Sequence, residues 1–219
     1  MSIKCFIGVM VAAGSMLFMP MPSRAVDGGS LLAKQALEHC TQGRVATDRN
    51  MRLVHFQQGQ HLGEQAVASN EGSAEAHFAL FCNLGELLRV DGESLTSLFG
   101  LRRMMHELDR ALELNPAHIE ALSAKGTLLV RLPSILGGDR ERGEQLLQHV
   151  VKQAPKAVNA RLALARVWCQ YGRHDDAMVL ASDALALAQK YQQVEFIPEA
   201  QTVLNQAKAN AIKDKPHRS

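Results

Sequence analysis

One alanine-marked unit recurs along the chain, and it constrains the fold more than any other feature. Its clearest copy is Ala157 to Ala188, "AVNARLALARVWCQYGRHDDAMVLASDALALA". Ala160, Leu164, Ala165 and Trp168 fall on one helical face, because residues three to four apart meet on a helix. "YGRHDDA" turns the chain at Gly172, and Ala177, Ala181, Ala184 and Leu185 form the stripe of a second helix. Small residues in both stripes let two antiparallel backbones approach closely. The second-helix marks Ala66, Ala111, Val150 and Ala184 lie 45, 39 and 34 residues apart. The first-helix marks Ala76, Ala121 and Ala160 repeat the spacings of 45 and 39. Two series with the same spacings predict stacked helix pairs in which two units carry insertions.

Composition agrees. Ala, Leu, Gln and Glu are frequent, and these side chains lose little freedom in a helix. Alternating runs of Val, Ile, Thr and Tyr are nearly absent, so strands find no support. Helices are expected near 30–43, 48–70, 73–90, 100–115, 117–131, 139–154, 157–171, 174–192 and 196–213. The excess of 11 residues falls on "VDGESLTSLFG", read as an elongated loop or a helical extension. The excess of five falls on "LPSIL".

The N-terminus reads as a secretory signal. Lys4 is followed by an apolar run, Cys5 to Met19, too short for a comfortable membrane span. "PMPSRA" then puts Ser23 and Ala25 at the −3 and −1 positions of a cleavage site. Cleavage after Ala25 predicts a periplasmic or secreted protein with no stable membrane insertion. It removes Lys4 and Arg24, leaving 22 basic against 22 acidic residues. A neutral chain without a basic block has no footprint for nucleic acid. Of the four Cys, Cys40, Cys82 and Cys169 remain. They are too few and too dispersed for a disulfide framework. Each is expected as a small buried hydrophobe, with one pairing, such as Cys40 with Cys82, open to it in an oxidising compartment.

The Ala157–Ala188 unit resembles the tetratricopeptide repeat (TPR). Ala165, Trp168, Ala177 and Ala184 occupy that family's small, aromatic, Ala and Ala marks, and Gln189 stands where a Pro usually closes the unit. "HELDRALELNP", ending at Pro116, resembles the family's usual second-helix ending. The resemblance implies an all-α, TPR-like right-handed solenoid of about four helix pairs with a C-terminal capping helix. Its divisions are a signal at 1–25, a divergent helix pair at 26–72, three repeats at 73–192, a cap at 193–213 and a tail at 214–219.

The pair Gly137-Gly138 invites a phosphate-loop reading, which the flanking residues exclude. Asp139 puts a negative charge where a P-loop has Gly-Lys-Ser/Thr, and the third glycine of a dinucleotide fingerprint is missing. The segment reads instead as punctuation: Pro133 stops a helix, the glycines turn the chain, and Asp139 caps the next helix. It is also similar to a Pro, Gly-Gly-Asp motif in the T component of TRAP-type transporters. That resemblance implies an alternative function, a periplasmic accessory protein that takes a small or apolar ligand from a solute-binding subunit.

Catalytic signatures are missing. The nine His are scattered, with His55 and His61 six residues apart on different faces, so no metal site is expected. There is no Gly-x-Ser-x-Gly elbow. Paired carboxylates such as Glu141 with Glu144 and Asp175 with Asp176 sit at helix starts, where the helix dipole favours them. No cofactor and no enzymatic activity are expected. In the TPR family the first helices line a concave face. The resemblance therefore assigns a partner groove to Phe78, Glu86, Ser123, Thr127, Arg131, Asn159, Leu162 and Arg166. A protein or peptide with apolar anchors and an acidic group fits that surface.

Overall fold

The structure is a computed structural model and describes residues 28–91 and 97–213. Among these residues there are nine α-helices and no strand: α1 (Gly28–Val45), α2 (Arg49–Ser69), α3 (Ala74–Asp91), α4 (Ser97–Leu114), α5 (Ile119–Arg131), α6 (Arg140–Gln153), α7 (Val158–Gln170), α8 (His174–Lys190) and α9 (Ile197–Lys213). Each lies within three residues of its expected bounds. Two 3-10 turns, Ser134–Leu136 and Val194–Phe196, interrupt the connections. The signal reading at 1–25 and the tail at 214–219 lie outside the described residues. So does the centre of the expected loop after Asp91. Its last residues, from Ser97, belong to α4, because "SLFGLRRMM" continues that helix's apolar stripe through Leu101 and Met104.

Consecutive helices pack against one another in pairs, and α1 also packs on α3, α5 on α7 and α7 on α9. The alanine marks are where the backbones meet. Ala66, Ala76, Ala111, Ala121, Ala160, Ala165, Ala177, Ala181 and Ala184 are all fully buried. The α5–α6 crossing uses glycine for the same purpose. A methyl on Gly126 would meet the Leu147 side chain at 2.8 Å, and one on Gly143 would meet the Gly126 carbonyl at 2.9 Å. Both lie inside van der Waals contact, so only glycine permits this approach.

The Gly-Gly connection is structural, as its flanking residues require. Leu132 ends α5, Pro133 opens the 3-10 turn, and Gly137 takes φ +87°, a left-handed conformation suited to glycine. A methyl on Gly138 would overlap the Leu132 carbonyl. Gly138 N–H donates to Pro133 O (3.0 Å) and Asp139 N–H to Leu129 O (2.9 Å), which folds the turn back on α5. The Asp139 carboxylate then accepts the Arg142 N–H (3.0 Å) and caps α6.

The N-terminal pair is tied to the stack more firmly than the repeat alone requires. Asn83, fully buried, donates its amide to Ala36 O on α1 and Ala79 O on α3, both at 2.9 Å. Cys40 and Cys82 form a disulfide between the same helices, with their Cα atoms 6.3 Å apart. The pairing left open by the sequence is the one that forms, and Cys169 alone remains the small buried hydrophobe expected of each. The reason is spatial: α1 and α3 lie side by side, so two cysteines 42 positions apart in sequence come within bonding distance.

The joint between α3 and α5 is built differently. Phe78 and Phe81 of α3 and Ala124 and Leu128 of α5 all pack against Leu108, Ala111 and Ala121, so two large aromatic side chains enter this joint. The stack curls until the 3-10 turn Val194–Phe196 touches α1. The two ends of the solenoid thus meet across its concave side.

Candidate functional site: the concave pocket

This closure borders a half-open pocket of about 390 Å³. Leu37, Thr41 and Arg44 enter from α1, where positions 37, 41 and 44 form one helical stripe. Phe78, Phe81 and Cys82 enter from α3, and Ile119, Glu120, Ser123 and Ala124 from the start of α5. The turn into α7 supplies Ala154, Lys156, Ala157, Val158 and Asn159. The turn into α9 supplies Gln193, Glu195 and Phe196. Sequence-distant segments therefore build one cavity. Another hollow, beside Cys169, His174 and Asn210 at the C-terminal end, has no aromatic lining and is more open.

The apolar side of the pocket is aromatic. The Phe78 and Phe81 rings stack with centroids 5.8 Å apart. Phe78 also lies 4.7 Å from the His118 ring. That imidazole is buried at the start of α5 with Nδ1 3.2 Å from Glu120 and Nε2 3.1 Å from Glu75. Although Nδ1 also faces the Ala121 N–H at 3.5 Å as the cap of α5, contact with Glu120 and then Glu75 outweighs burial and raises the pKa of the ring to about 9. The same contact holds the Glu120 carboxyl below its ordinary value.

The polar side is held by specific bonds. Arg44 Nε donates to Glu86 (2.7 Å), and its Nη2 reaches the Cys82 sulfur (3.3 Å). Asn159 Nδ2 donates to Ser123 Oγ (3.3 Å), linking α7 to α5 across the pocket wall. Lys156 lies over the Tyr191 ring, 4.6 Å from its centroid. Four charged residues line the cavity, Arg44 and Lys156 against Glu120 and Glu195, so its formal charge is zero.

The groove residues expected from sequence divide accordingly. Phe78, Ser123 and Asn159 come together in the pocket. Thr127 sits one turn beyond, its hydroxyl donating to Ser123 O (2.8 Å). Arg131 is exposed at the end of α5 and outside the cavity. Three others are committed elsewhere. Leu162 is fully buried against Ala184, Ala188 and Ala200, because α9 covers that face of α7. Arg166 pairs with Glu199 of α9 at 2.6 Å for the same reason. Glu86 is buried between Arg44 and Arg89. The residues from α1 and the Val194–Phe196 turn were not legible as site residues, because a count of repeats does not say how far the stack curls. The Leu37, Thr41, Arg44 stripe on α1 was the available signal.

A family model described as the tetratricopeptide repeat matches residues 135–195, which span the Gly-Gly turn, α6, α7, α8 and the turn into α9. With the helix-pair stack already described, this decides the architecture. The fold is a TPR-like helical solenoid, and residues 135–195 match the family's repeat. The TPR fold also appears in a solved thermophilic TPR protein of Thermus thermophilus. The two share 18% identity at a TM-score of 0.52, over 80% of this chain and 99% of that one. MamA of Desulfovibrio magneticus RS-1 aligns at 16% identity with a TM-score of 0.46, over 86% of this chain and 98% of that one. No curated protein matches the chain in sequence. Among the described residues, no group of three or more His, Cys, Asp or Glu is arranged to hold a metal. No described helix is long and apolar enough to cross a membrane.

Proposed function

We propose that this protein is an exported, non-enzymatic TPR scaffold that binds a protein or peptide partner on its concave face. The observation that carries the reading is the pocket. It lies on the side formed by the first helices and joins an aromatic floor to neutral hydrogen-bonding groups, the usual composition of a recognition site. The ion pairs around it, Arg44 with Glu86 and His118 with Glu75 and Glu120, fix its walls. Export rests on the N-terminal signal pattern. A disulfide between α1 and α3 suits an oxidising compartment.

Two measurements test the reading. The mass of the protein recovered from the exported fraction should begin at Val26, and recovery of the intact N-terminus would contradict export. Affinity capture from that fraction should lose its specific partner in Thr41→Trp, which fills the cavity from an exposed position on α1. Glu113→Ala on the outer helix α4 should leave capture unchanged. Equal capture by wild type and Thr41→Trp would remove the concave face as the partner surface.

A further inference from the structure

The pocket's chemistry narrows the partner further, on the reading that the concave face is where the partner binds. Its volume of about 390 Å³ is at the small end of the roughly 300–1,000 Å³ spanned by ligand sites. That admits one large side chain with its flanking backbone and excludes a folded domain. The apolar lining is Leu37, Phe78, Phe81, Ile119 and Phe196. It is contributed from four directions, so an inserted group is surrounded rather than laid on a surface. Stacked phenylalanines favour an aromatic or large aliphatic insert.

The polar groups select between a peptide and an amphiphile. A fatty acid or phospholipid needs a net positive site for its head, whereas the charges lining this cavity cancel and Arg44 is already engaged by Glu86. The neutral groups are Thr41, Ser123, Asn159 and Gln193, which offer hydroxyl and amide donors and acceptors. Asn159 spends its amide N–H₂ on Ser123 Oγ, and this orients the side chain at the cavity wall. Such groups match the N–H and C=O of an uncharged backbone. Because α1 and the Val194–Phe196 turn meet, a partner cannot lie along the whole concave face and must engage it through a short segment.

We infer that the pocket binds a short peptide segment by enclosing a single aromatic or large aliphatic side chain, with Asn159 and its neighbours bonding the flanking backbone. Enclosing such a side chain is worth about tenfold to a hundredfold in affinity.

The test is selection of a random dodecapeptide display library on the wild-type protein. Affinities of the enriched peptides are then measured on wild type, Thr41→Trp and Phe196→Ala, and sodium decanoate serves as a competing amphiphile. Circular dichroism confirms that each variant keeps its helices. The expected result is enrichment of peptides sharing one Phe, Trp, Tyr, Leu, Ile or Met position. Their affinity falls about tenfold or more in both variants, and decanoate competes weakly. Enriched peptides without a shared apolar position that still lose affinity in Thr41→Trp would overturn the anchor and keep the concave-face reading. Peptides indifferent to both variants, or no enrichment, would overturn both. Decanoate binding that Thr41→Trp abolishes, without peptide enrichment, would show a pocket for amphiphiles and overturn the peptide assignment.

Discussion

His118 makes one pH-dependent contribution to this fold. It is nearly covered at the start of α5, between Glu75 of α3 and Glu120 of its own helix, so its charge joins two repeats. Its folded pKa of about 9 lies above the unfolded value near 6.5. The stabilisation it supplies is complete below about pH 6.5 and is lost as pH rises through about 9. The urea midpoint should fall between those limits in wild type and stay flatter in His118→Gln. A wild-type midpoint constant across that window would contradict the assignment. At the Gly-Gly turn, Asp139→Ala removes the cap of α6 and should cost about 1 kcal/mol, read from chemical unfolding. Asp139 was legible as a cap in the sequence, because a short acid after a glycine turn and before an amphipathic run has few other uses. The His118 pairing was not, since Glu75 lies 43 positions away and only the stacking of α3 on α5 brings it near.

At the scale of elements, every described helix was located in the sequence, because each stripe is set by local periodicity and close packing. The insertions behaved according to their residues. "LPSIL" became a 3-10 turn, and the segment from Ser97 became helix because its apolar positions keep helical spacing. Gly143→Ala should destabilise by about 1–3 kcal/mol, since the α5 backbone cannot yield at that crossing. Cys40→Ser with Cys82→Ser removes a cross-link closing a loop of 42 positions and should cost about 2–4 kcal/mol. A melting temperature unchanged by reductant would show that the α1–α3 joint does not depend on it. Pairing was left open by the sequence, because cysteine spacing carries no information about which helices lie side by side.

For the whole molecule, curvature matters more than the order of the helices. Large aromatic side chains at the α3–α5 joint and a cap that folds over α7 bring the ends together. This removes Leu162 and Arg166 from the concave surface and adds Thr41, Arg44, Glu195 and Phe196 to the site. Sequence register predicts which face of each first helix points inward. It does not predict how tightly successive units turn, which is set by side-chain volumes at each joint. The most direct test of the concave pocket as the partner site is amide chemical-shift mapping of the uniformly labelled protein, titrated with a peptide selected on it. Shifts should concentrate in α1 near Thr41, in α3 near Phe78, at Ser123, at 156–159 and at Val194–Phe196. Shifts confined to α2, α4, α6 and α8 would place binding on the outer surface and contradict the account.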